Sequence, residues 1–129
     1  MKDRPQVFDL QVKACARSMM AVRDTLDILS GRWKITIIVA LQFGKRRFKE
    51  LQKEVDGITA KVLSKELKDL EINELVKRTV YDTKPVSVEY ELTPYGHSLE
   101  KIIDEMRSWG INHRCRISGK QNLEEVQPD

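Results

Sequence analysis

Lys61, Lys65 and Lys68 stand four and three residues apart in the stretch 57–78. That spacing puts them on one side of a helix. Leu63, Leu67 and Leu70 recur at the same period and make an apolar stripe. At about 100° per residue the lysines fall almost opposite that stripe, with Ser64 on the flank between them. Such a helix can be held by a core from behind while it offers its cationic front to a polyanion. A solvated lysine face is the ordinary reading of any amphipathic helix, so the neighbouring elements must decide between the two. Thr59 is a good N-cap type, and Ile58 before it can staple onto Leu63 one turn in. The reciprocal half of a capping box is missing, because Val62 stands where Glu or Gln would be. Thr59 and the free N–H groups behind it offer donors to a phosphate. Lys61 and Lys65 suit base edges, Ser64 suits either kind of base, and Lys68 suits the backbone.

Catalytic chemistry finds little support. His97 and His113 are the only histidines, and neither has an evident catalytic partner. Asp104 and Glu105 are adjacent, so they diverge around a helix and make a poor acid/base pair. No Cys or His pair has metal-ligand spacing, and there is no glycine-rich phosphate loop. No catalytic residue, metal or cofactor is expected.

The 129 residues suffice for one domain with a modest core. Hydrophobic residues make up 40% and charged residues 33%, a balance that implies a soluble protein with a heavily charged surface. The net charge of +3 neither demands nor excludes a nucleic-acid partner, so local placement has to decide. No apolar run approaches the ~20 residues that span a bilayer, and the N-terminus lacks the apolar core of a signal peptide. Cys15 and Cys115 lie far apart without CxxC spacing. A reduced, cytoplasmic protein without membrane contact is the expectation.

The elements that must position the lysines follow in order. Residues 1–17 read as an N-terminal arm. A helix is expected from about Ser18, where Met19, Val22, Leu26 and Leu29 step at helical spacing. Gly31 is suited to end it. Residues 33–43 are nearly all apolar, and their β-branched cluster favours a strand while their length favours a buried helix. Lys45, Arg46 and Arg47 form a basic triplet. Phe48, Leu51 and Val55 give a short helix stopped by Asp56-Gly57, and the lysine-fronted helix follows. That is the order of a helix-turn-helix. Asn73 is the candidate left-handed cap at its end. Two β-rich stretches flank the turn Asp82-Thr83-Lys84-Pro85, and Val86, Val88, Tyr90 and Leu92 alternate with polar residues. A hairpin with Lys84 at its tip is expected there, in the place of a wing. Thr93 as cap and Pro94 at the first position start a last helix. Its seam runs through Tyr95, Leu99, Ile102, Met106 and Trp109 and is longer than the core of one small domain requires. Trp33 reads as a core aromatic at a helix start, with a phosphate contact through its N–H as the alternative.

The ordered set Leu26-Asp27, Gly31-Arg32-Trp33-Lys34, Arg46-Arg47-Phe48-Lys49-Glu50-Leu51, Gly57-Ile58-Thr59 and Val62-Leu63-Ser64 continues with the leucines to Leu70. It goes on through Leu75-Val76-Lys77-Arg78-Thr79-Val80-Tyr81, Val88-Glu89-Tyr90-Glu91-Leu92-Thr93-Pro94-Tyr95-Gly96 and Trp109-Gly110. In this order, over about residues 18–112, it resembles the HxlR-type winged helix-turn-helix regulators, a MarR-like group. The resemblance implies a mainly α fold with a small β-hairpin (α+β), and on it residues 33–43 are assigned to a helix. It divides the chain into an arm (1–17), a winged domain with dimerisation helices (18–113) and a tail (114–129). It implies a homodimer on double-stranded DNA. Met19, Val22, Leu26, Leu99, Ile102, Met106 and Trp109 would form the dimer interface. Arg46, Arg47, Thr59, Lys61, Ser64, Lys65, Lys68 and Lys84 would face a pseudo-palindromic operator.

Two positions depart from the family pattern. Members often carry a Cys-Pro pair before the first helix, which in some senses oxidants or electrophiles. The corresponding place here is near Met19-Met20, and Cys15 lies a turn earlier without a proline. No structural disulfide is expected; redox switching through Cys15 and Cys115, or a small-molecule effector, stays open beside DNA binding. The glycine that usually ends the reading helix is Glu74. The other alternative is a protein-binding winged helix whose lysines meet an acidic partner; loss of duplex binding with salt separates the two.

Overall fold

The computed structural model describes residues 3–119. The element order is α1 (Asp3–Leu29), α2 (Lys34–Leu41), β1 (Arg46–Arg47), α3 (Phe48–Glu54) and α4 (Ala60–Ile72), then β2 (Val76–Tyr81), β3 (Ser87–Leu92), α5 (Pro94–His97) and α6 (Glu100–Gly119). The three strands form one antiparallel sheet in the order β1-β3-β2.

The core is built around α2. Ile37, Ile38 and Leu41 are buried against Leu51 and Val55 beside α3, Leu63, Leu67 and Leu70 of α4, and Leu92 of β3. A helix buried on most sides tolerates the β-branched run 35–39, because packing outweighs the few tenths of a kcal/mol per residue set by intrinsic propensity. Each fully buried Leu or Ile contributes about 1.5–3 kcal/mol. The hairpin pairs Val76 with Leu92 and runs in register to Tyr81 opposite Ser87, leaving Lys84 exposed in the connecting loop.

Four expectations change. The expected arm is helical from Asp3, so α1 is one helix of 27 residues rather than a helix from Ser18. The expected tail continues α6 to Gly119; the rest of that tail, and residues 1 and 2, lie outside the described residues. Arg46 and Arg47 form a short strand on β3, with Arg46 opposite Tyr90 and Arg47 opposite Glu89. The single last helix is two. Thr93 caps α5 by accepting from the Gly96 N–H at 2.9 Å, and tight bonds from Ser98 to Tyr95 and Leu99 to Gly96 then close the turn. That break moves Leu99 off the outer seam and into the core, at 9% exposure. Leu29 of α1 is likewise buried.

Candidate nucleic-acid interface

Helix α4 is fixed at its start, its back, one flank and its end. Thr59 Oγ1 accepts from the Val62 N–H at 3.2 Å, the cap expected from residue type. Leu63, Leu67 and Leu70 face inward and are almost wholly buried. On one flank Lys34 of α2 reaches Glu66 at 2.8 Å and Asp69 at 3.6 Å. The Lys34 pKa is raised, chiefly by its hydrogen bond with Glu66, against the opposing effect of partial burial.

The end of α4 differs from expectation. Asn73 keeps a negative φ, and Glu74 is the left-handed residue, at φ 62°. The Leu75 N–H donates to Leu70 O at 3.0 Å and the Glu74 N–H to Glu71 O at 2.9 Å, which is a Schellman closure. Leu70 and Leu75 are both buried, which suits the apolar pair that accompanies this motif. Glu74 therefore occupies the left-handed position that glycine adopts most readily, and Asn73 assists by donating its side-chain N–H to Asp69 O at 2.9 Å.

With its back held, α4 exposes Lys61, Ser64, Lys65 and Lys68. Lys84 is exposed on the wing loop, where the Thr83 hydroxyl donates to Pro85 O at 2.7 Å. Arg47 is exposed and shares a groove with Lys49, Tyr81 and Lys84 between α3 and the wing. Its backbone N–H donates to Glu50 at 2.8 Å, which fastens the start of α3. The basic triplet is not all free. Arg46 Nε is held by Glu54 at 2.8 Å, and Lys45 lies 3.8 Å from Glu91. An arginine already committed to a carboxylate offers less to a phosphate, so Arg46 belongs to the β1–α3 joint before it belongs to a DNA face.

Trp33 packs half-buried against the core under the α3–α4 turn, with Arg32 stacked 4.7 Å above its ring. Its core reading, rather than a phosphate contact, matches that surrounding. The sequence reading missed Arg78 and Tyr90, which line a crevice with Ser64 and Lys68. The signal was available, since Arg78 interrupts the apolar side of β2 between Val76 and Val80.

On α1, Met19, Val22 and Leu26 are each more than half exposed. Ile102, Met106 and Trp109 are exposed on α6, and Trp109 stacks on His113 with ring centres 4.8 Å apart. Cys15 is exposed, Cys115 is half-buried, and both are free thiols. Among the described residues no group of His, Cys, Asp and Glu is arranged to hold a metal, and no helix is long and apolar enough to cross a membrane.

A helix pair with a fixed cationic second helix, followed by a hairpin on a three-stranded sheet, defines a winged helix-turn-helix protein. The chain belongs to the HxlR-like helix-turn-helix family, whose model matches residues 28–118. It is 42% identical over 100 residues to the HTH-type transcriptional regulator YtcD of Bacillus subtilis strain 168, spanning 78% of this chain and 79% of that protein. The crystal structure of ytcD superposes with a TM-score of 0.69 at 43% identity, covering 71% of this chain and 94% of that one. The redox regulator HypR in its reduced form superposes with a TM-score of 0.72 at 36% identity, covering 77% and 98%. The chain is thus a transcriptional regulator of the helix-turn-helix type.

Proposed function

We propose that the protein is a homodimer that binds a pseudo-palindromic operator in double-stranded DNA, with α4 in the major groove and the wing in the adjacent minor groove. The observation that carries this reading is the exposed front of Lys61, Lys65 and Lys68 on a helix anchored at both ends and along its back. Lys61 and Lys65 read base edges; Thr59, Ser64 and Lys68 meet phosphates, and Arg47 and Lys84 extend the contact to the wing. Arg46 contributes only what its pair with Glu54 leaves free. The apolar faces of α1 and α6 supply the second copy, so half-site centres fall about one helical turn, ~10 bp, or a multiple apart.

HypR is a redox regulator, which keeps an oxidant effector within the reading. Cys15 and Cys115 sit on α1 and α6, the helices of the proposed dimer seam. Neither has a partner thiol within its own chain among the described residues.

The test is binding of selected and random duplexes across a salt series. Lys65→Ala is expected to lose affinity and also discrimination. Lys84→Ala is expected to weaken both duplexes alike and to flatten the salt slope by about one unit. Equal weakening of both duplexes by Lys65→Ala would remove its base-reading role. Salt-insensitive binding, or none, would favour a protein-binding module.

A further inference from the structure

The sugar–phosphate strand that separates a major groove from the neighbouring minor groove has to cross between a helix in one and a hairpin in the other. In this protein the space between α4 and the hairpin is a crevice lined by Ser64, Leu67, Lys68, Glu71, Arg78 and Tyr90. Arg78 and Tyr90 are cross-strand partners, so their side chains share one face of the sheet. Val76 and Val80 share that face at period two, and Val76 is buried in the core. Arg78 thus occupies a position on the apolar side of β2, yet it is exposed beside the reading helix. Lys34, Lys45 and Arg46 all have carboxylate partners, whereas among the described residues Arg78 and Lys68 have none. Two cations opening onto one crevice repel each other, and an anion between them relieves that repulsion.

We propose that Arg78, together with Lys68 and Ser64, clamps the DNA phosphate that passes between the reading helix and the wing. The clamp rests on the DNA-binding reading above and adds a site to it. The planar guanidinium presents paired donors to a phosphate, the Lys68 ammonium adds a point charge, and the Ser64 hydroxyl adds a third donor. Glu71 opposes an anion from the C-terminal end of the crevice, which confines the phosphate to the end near Ser64. A clamp of this kind sets register on the duplex and carries no sequence information.

The experiment measures affinity for a random-sequence duplex and for a duplex selected from a random pool by the protein itself, over a salt series. Arg78→Ala is expected to weaken both by the same factor, roughly tenfold, and to flatten the salt slope by about one unit. Arg78→Lys is expected to keep the slope and lose part of the affinity, because it retains the charge without the fork. The thermal melt of Arg78→Ala is expected to match wild type; Arg78→Gln, which keeps the aliphatic stem, replaces it if the melt falls. Unchanged affinity and slope, in a wild type that binds duplex steeply with salt, would overturn the clamp and leave the DNA-binding reading intact. Weakening confined to the selected duplex would also overturn it, since Arg78 would then be reading bases. A wild type that binds neither duplex would remove the underlying reading and the clamp with it.

Discussion

Lys34 Nζ lies 2.8 Å from Glu66 Oε2 and 3.6 Å from Asp69 Oδ2, so one ammonium on α2 gathers two carboxylates from the flank of α4. The three side chains are only partly exposed, so the pair is less screened than a surface ion pair. The orientation of α4 about its own axis is thus held by the leucine stripe and by this cation.

Removal of that cation has a defined pH signature. The Lys34 pKa in the folded protein is raised above the ordinary 10.5, first by its hydrogen bond with Glu66. A raised lysine contributes stability that is complete below its unfolded pKa and is lost as pH rises through the folded value. Lys34→Gln is therefore expected to be less stable than wild type by about 1.5–3 kcal/mol near neutral pH. The gap should narrow only above pH 10.5. Urea unfolding of both proteins at stepped pH measures it, and a gap that closes below pH 9 would contradict the assignment.

The joint after α4 depends on a hydroxyl and a missing side chain. Thr93 Oγ1 donates to Glu74 O at 2.7 Å, and the Thr93 N–H donates to Leu75 O at 3.0 Å. A Cβ on Gly96 would stand 2.1 Å from Leu75 O, a backbone atom that cannot swing aside. Gly96→Ala is expected to cost at least about 3 kcal/mol in thermal or chemical unfolding. Glu74→Gly should act in the opposite direction. Relief of a positive φ is worth about 1–2 kcal/mol, partly offset by glycine's extra freedom when unfolded, so a net gain of about 0.5–1 kcal/mol is expected.

The sequence shows where the lysine face, its cap and its leucine back lie because all three are local and periodic. Thr59 caps what it should cap, and the hairpin alternation from Val86 to Leu92 falls on β3, apart from its first residue. Non-local contacts are what the periodicity leaves out. Arg46 and Arg47 become a strand only because β3 passes beside them. The 33–43 stretch is a helix because the core closes around Ile37 and Ile38, against its own β-branched preference. Leu99 kept the spacing of an outer seam until the turn at Ser98 rotated it inward. Arg78 looked like one more charge on a strand until its cross-strand partner and its crevice were known.

The cysteines are expected to stay unlinked. Cys15 is exposed on α1 and Cys115 half-buried on α6, and a bridge between two copies requires Cα atoms within about 7 Å. Non-reducing electrophoresis after mild diamide should show the monomer band alone. An inter-chain band lost in both Cys15→Ser and Cys115→Ser, with altered DNA affinity, would reverse that expectation.

Leu99 and Trp109 lie in opposite surroundings, one in the core and one on the surface, although regular spacing sets them on one seam. Leu99 is buried among Ile103, Leu29 and the rest of the core, whereas Trp109 is 68% exposed on α6 with Ile102 and Met106 on the same outer side. Truncation of a core leucine leaves a cavity, so Leu99→Ala is expected to lower folding stability by about 2–5 kcal/mol. Trp109→Ala removes a large aromatic that, among the described residues, its own chain covers only in part, with His113 stacked on the ring. It should leave the unfolding of the isolated chain nearly unchanged and raise the dimer dissociation constant, since aromatic anchors carry much of the energy of buried interfaces. Equilibrium sedimentation across a concentration series reads the assembly step, and urea unfolding at dissociating concentration reads the folding step. A weaker dimer should also weaken operator binding without any change on α4. An unchanged dimer constant in Trp109→Ala would place the interface elsewhere and would leave the exposed run on α1 and α6 to a different partner.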